Sequence, residues 1–216
     1  MKFYYHPISG NARRVWIALL EKQIPFEPIL INLDGSQFQP EFLAINPFHH
    51  VPVIVDNGFE VVESLAILDY LEAQYPTPSL MPKDAKAIAT VRMVELVTIN
   101  ELTPATVPLM QQMVELSVAP EKLEAAQQQI AKVLSFFEGK LSSHSYFVGD
   151  SFTLADIVAG NSSSFLSLMG ISLDSYPKVK TWLEQLAQRE SFVKTAPSPE
   201  DIEAAKPLVK RQLEQL

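Results

Sequence analysis

A chain of 216 residues, 47% of them apolar and 19% charged, is long enough for two small domains with ordinary cores and is not of disordered composition. Its 17 basic and 25 acidic side chains leave a net charge of -8, which argues against nucleic acid or an anionic membrane as partner. Cysteine is absent, which excludes disulfides, thiolate metal sites and cysteine nucleophiles; any thiol chemistry must use a sulfur brought by a ligand.

The opening MKFYYHP lacks the sustained apolar stretch of a signal peptide, and no apolar run approaches bilayer-spanning length, so a cytoplasmic setting is expected. Residues 2–5 read as a strand and 11–21 as a helix with Ala12, Val15, Trp16 and Leu19 at helical spacing. PFEPILINL (25–33) reads as a second strand, followed by a short irregular segment over 41–45. VPVIVD and FEVVE then flank Asn57-Gly58, the strongest short signal for a hairpin because both residues tolerate positive φ. A helix over 64–73 completes the order βαβαββα. Three prolines in YPTPSLMP mark a linker, and everything beyond reads as helix. Helices are expected over 85–115, kinked by Pro104 and Pro108, and over 121–141, 154–169 and 177–187. A last helix opens at Ser198-Pro199-Glu200-Asp201, an N-cap serine, a first-position proline and dipole-facing acids, with a kink at Pro207. The expected division is 1–76, a linker over 77–84, and an all-helical domain over 85–216.

Several local motifs lie in order along this layout: Tyr4-Tyr5-His6-Pro7-Ile8-Ser9, Asn46-Pro47, Val51-Pro52, Glu63-Ser64, Gly149-Asp150-Ser151-Phe152-Thr153-Leu154-Ala155-Asp156, and Tyr176-Pro177 with Trp182. With them, nearly the whole chain resembles the cytosolic glutathione transferases. The pattern is similar to serine-type, theta- or delta-like bacterial members, with the cyanobacterial chi class as another home. The resemblance implies an α+β two-domain protein: a thioredoxin-like βαβαββα domain followed by an all-α domain. It also implies a cis bond between Val51 and Pro52, which leaves the Val51 backbone facing the cysteinyl unit of glutathione.

The ligand's chemistry suggests the remaining partners. Glu63-Ser64 opens a helix, where free amides and the dipole favour a carboxylate; Ser64 suits that group and Glu63 the ammonium. Plain N-capping by Ser64 is compatible with this. The resemblance implies that His49 or His50 reaches the glycyl carboxylate, and only one of them is expected to, since neighbours in an extended segment point to opposite sides. No third ligand lies at metal spacing, so no metal is expected.

A free thiol has a pKa of about 8.5, so a thiolate near neutral pH must be stabilised. Ser9, just before a helix N-terminus, is the first candidate, with Asn11 and Arg13 as further donors. Tyr4 and Tyr5 match structural aromatic positions. Thr153 and Asp156 form a capping box without catalytic duty. Met110 and Met113 are candidates for lining an electrophile pocket, and Phe48 is either a dimer key or a buried loop aromatic.

The expected activity is conjugation of glutathione, as co-substrate and with no cofactor, to small apolar electrophiles, with peroxidase activity at the side. The expected assembly is a homodimer without nucleic-acid or membrane partners. The alternative is a non-catalytic binding or interaction module of the same fold.

Overall fold

A computed structural model describes residues 1–214; Gln215 and Leu216, which end the expected helical domain, lie outside the described residues. The chain forms two compact units. One comprises Met1–Leu80 with Glu190–Leu208, and the other Met81–Arg189 with the remainder of the C-terminal helix.

The first unit holds a four-stranded sheet of β1 (Lys2–Tyr5), β2 (Glu27–Leu30), β3 (Val53–Asp56) and β4 (Phe59–Val62), in the order β2-β1-β3-β4. β1 and β2 are parallel, joined by the crossover helix α1 (Gly10–Glu21), and the other pairs are antiparallel. β2 is shorter than the apolar run suggests. Its register with the four residues of β1 ends at Tyr5↔Leu30, and only the Ile31 amide continues it, to the Tyr5 carbonyl. Ile31 and Leu33 instead pack on the cluster of Phe42, Val51 and Val53. The irregular stretch contains a 3-10 turn (Ser36–Phe38) and the one-turn helix α2 (Pro40–Leu43). Asn57 and Gly58 both take positive φ, 51° and 85°, as the β3–β4 hairpin requires.

Helix α3 (Ser64–Gln74) follows β4 and packs on α1. Lys22, buried at the end of α1, donates to Glu72 on α3 at 2.8 Å and to the Pro78 carbonyl at 2.7 Å, tying the proline-rich segment to this unit. Two C-terminal elements belong here as well: α9 (Glu190–Thr195), a short helix without a periodic signature, and most of α10 (Pro199–Leu213). Ser198, the expected cap of α10, forms a capping box with Asp201, the Asp201 amide donating to the Ser198 hydroxyl and the Ser198 amide to the Asp201 carboxylate, each at 3.0 Å.

The second unit is helical: α4 (Ala85–Val97), α5 (Thr103–Met113), α6 (Pro120–Leu141), α7 (Leu154–Ser163) and α8 (Pro177–Ala187). Between α4 and α5 the chain winds as a π-turn, Thr98–Leu102, just where the Pro104 ring would meet the carbonyl four residues back in a regular helix. The region expected as one helix to Met169 ends at Ser163. Ser164 turns its hydroxyl back to the Asn161 carbonyl at 2.8 Å, and a 3-10 turn at Ser167–Met169 closes on left-handed Gly170. Among the described residues no helix is long and apolar enough to cross a membrane.

The box at Thr153 and Asp156 has its carboxylate inside the core. Asp156 accepts from the Thr153 amide and hydroxyl (both 2.9 Å), the Phe147 amide (3.2 Å) and the Trp182 indole (3.0 Å). Burial pushes its pKa up to about 6 against the pull of these donors.

Candidate functional site

Strand register brings the candidate segments to one end of the sheet. Tyr4 pairs with Val53, and Val53 with Val62, so the chain leaving β1, entering β3 and leaving β4 does so at the same edge. The turn His6–Ser9, the Val51-Pro52 bond and Glu63-Ser64 are those connections.

Ser9 is the N-cap of α1, with φ -74° and ψ 109°, and its hydroxyl oxygen accepts the Ala12 amide at 3.2 Å. Accepting through a lone pair leaves the hydroxyl proton available for another acceptor, so cap and donor are compatible roles. Asn11 is exposed in the first turn. Tyr5 lies against Phe3 and Trp16, and Tyr4 against Phe42, as structural aromatics do.

Arg13 is buried, and its guanidinium faces α9. It donates to the Phe192 carbonyl and the Thr195 hydroxyl, each at 3.3 Å, and stands 5.6 Å from the Phe192 ring centre. Burial lowers its pKa to about 10, which leaves it charged at neutral pH. The next residue, Arg14, is also buried and donates to the Ser64 hydroxyl at 3.4 Å. Ser64 is the first residue of α3 rather than its cap. Glu63 occupies the cap position at φ 67°, and its side chain makes no capping bond. Capping by Ser64 is therefore corrected: the hydroxyl faces a guanidinium from α1, and the Glu63 carboxylate is exposed.

The bond between Val51 and Pro52 is cis. The Val51 side chain sits in the cluster with Phe42 and Val53, while neither its amide nor its carbonyl has a hydrogen-bond partner among the described residues. The preceding loop is organised by Asn46, whose side chain donates to the His50 carbonyl at 2.7 Å and accepts the Phe48 amide at 3.1 Å. His49 is not extended: its φ is 51°, and its amide donates to the Asn46 carbonyl at 3.0 Å. The histidine rings consequently lie 5.0 Å apart, edge to face, rather than on opposite sides, and His49 also meets Phe38 at 4.7 Å. Phe48 is 59% exposed, so it is not a buried loop aromatic within this chain.

Sequence reasoning missed Arg14 and Asn46 as site residues. Asn-Pro before Val-Pro was the available signal for Asn46. For Arg14 there was none, because a second arginine on an amphipathic helix reads as solvated surface.

The N-terminal domain model of glutathione S-transferases matches residues 3–79, and the C-terminal domain model matches residues 68–190. The chain is 35% identical over 207 residues to glutathione S-transferase 3 of Zea mays, covering 90% of this chain and 92% of that protein. It is 30% identical to maleylacetoacetate isomerase of Mus musculus, over 85% and 86% of the two chains. The solved structure of a delta-class glutathione transferase of Nilaparvata lugens superposes with a TM-score of 0.81 at 27% identity, covering 97% of this chain and 98% of the other.

Proposed function

The chain belongs to the glutathione S-transferase family, and on that premise we propose that it is the Ser9 hydroxyl that stabilises the glutathione thiolate for attack on a small apolar electrophile. The observation that carries this is the N-cap geometry. The hydroxyl is held by the Ala12 amide, keeps its proton for the sulfur, and sits at the positive end of α1. Asn11, exposed in the same first turn, is the further donor; Arg13, named beside it from the sequence, instead has its guanidinium engaged by α9.

In this reading glutathione lies along the end of the sheet as an added strand would, with the Val51 amide and carbonyl answering its cysteinyl unit beside Pro52. Ser64 and the free amides of α3 take the γ-glutamyl carboxylate, and Glu63 takes the ammonium. His49 or His50 takes the glycyl carboxylate. A thiolate so held also attacks organic hydroperoxides, which gives a peroxidase side activity. Met110 and Met113 on α5 are proposed to line the electrophile pocket, and the enzyme to work as a cytoplasmic homodimer without a cofactor.

Retention on immobilised glutathione, combined with turnover of a chromogenic aryl halide, tests the function. Retention and turnover together are expected. Retention without turnover makes the protein a binding module, and loss of both overturns the proposal.

A further inference from the structure

The turn that carries Ser9 has a single residue behind it. His6, Pro7, Ile8 and Ser9 form a β-turn with proline at its second position, closed by the Ser9 amide donating to the His6 carbonyl at 3.0 Å. Proline has no amide hydrogen, so the turn has two amides to satisfy, those of Ile8 and Ser9. The Ile8 amide donates to Nδ1 of the His6 side chain at 3.3 Å. One residue thus answers both, one through its carbonyl and one through its ring.

We propose that His6 is a positioning residue for Ser9: its unprotonated Nδ1 holds the turn, and a proton taken up there releases the Ile8 amide and lets the Ser9 hydroxyl drift from the sulfur. This rests on Ser9 being the thiolate donor. An imidazole nitrogen accepts a hydrogen bond only while it lacks a proton; once protonated, the ring has two donors and would point one at the amide it had held. The charged groups acting on His6 come from two elements, Asp34 in the loop after β2 and Asp201 in the first turn of α10. Both favour an imidazolium, so protonation has a destination for the ring as well as a cost to the turn.

Burial works against them and holds the His6 pKa below its ordinary value. The fold therefore favours the neutral form. Its contribution to stability is complete above the ordinary histidine range and is lost as pH falls through the lowered pKa.

His6→Asn and His6→Leu separate the roles. Asparagine places a carbonyl oxygen where Nδ1 stood and cannot titrate; leucine cannot accept at all. In the wild-type enzyme the Ile8 amide resonance should titrate with His6, and kcat/KM should fall in acid with a slope of 1 for the thiolate that steepens above 1 where His6 titrates. In His6→Asn the Ile8 amide should stay flat below neutral pH and the slope should be 1. His6→Leu should lose about tenfold in kcat at every pH with its circular dichroism unchanged. An Ile8 amide that does not titrate in wild type, or moves equally in His6→Asn, overturns the proposal, as do identical acid limbs in the two proteins. Failure of the Ser9 reading shows separately: Ser9→Ala would then leave the pKa of the bound thiol where it was.

Discussion

Ser9 caps α1 through Ala12 and, in the proposed reading, also serves the sulfur, and substitutions can take these roles away singly. Ser9→Asp keeps a capping oxygen for Ala12 but replaces the proton donor by a negative charge. Melting temperature should be held while turnover falls by about a hundredfold, comparable to loss of one oxyanion donor. Asp156 is the opposite case, a carboxylate whose partners are all structural. Removing it in Asp156→Ala strands four buried donor groups, and urea unfolding should show a loss of about 3 kcal/mol or more. Because its folded pKa is raised to about 6, the folded state holds the proton longer than the unfolded chain does. Its contribution is greatest in acid and declines as pH rises from the ordinary carboxylate range to about 6. The wild-type minus Asp156→Asn difference in unfolding free energy should show that slope; a flat difference would contradict it. Ser163, buried on α7 with a hydroxyl that finds no partner among the described residues, predicts the reverse of a loss: Ser163→Ala should be neutral or stabilising by about 1 kcal/mol.

The elements that sequence periodicity describes well are the ones with a long apolar stripe, such as α6 with Ile130, Val133, Phe137 and Leu141 inside. Those it describes badly are set by contacts far along the chain. Nothing in the six residues of α9 announces a helix. Its place depends on Arg13, about 180 positions earlier, donating to its Phe192 carbonyl and Thr195 hydroxyl. Arg13→Met should therefore loosen α9 before anything else. Hydrogen exchange in 190–195 should quicken by about tenfold or more, with α6 unchanged, and protection equal to wild type would contradict the Arg13 contacts. Pro104 and Pro108 signalled an irregular helix, but not that the irregularity is a π-turn placed ahead of Pro104. The histidine loop failed for a similar reason: an alternation rule for extended chain cannot foresee a residue in the left-handed region, held there by an asparagine three positions back.

Across the molecule, the order βαβαββα was legible because hairpin and crossover each have a local chemical signature. The inclusion of Glu190–Leu208 in the unit that contains the sheet was not, since it rests on side chains such as Ser191 meeting Glu21 of α1. The placement of the candidate residues was legible where local sequence chemistry fixes it: a serine before a helix, a Val-Pro pair, an acid and serine at a helix start. It was illegible where a neighbouring side chain does the holding, as Arg14 does for Ser64 and His6 for the turn of Ser9. The central claim is that this end of the sheet stabilises a ligand thiolate through Ser9. Ultraviolet titration of the thiolate of bound glutathione tests it directly. The wild-type protein should lower the thiol pKa below about 8.5, and Ser9→Ala should return it towards that value with glutathione affinity nearly unchanged. An identical bound-thiol pKa in the two proteins would contradict the account.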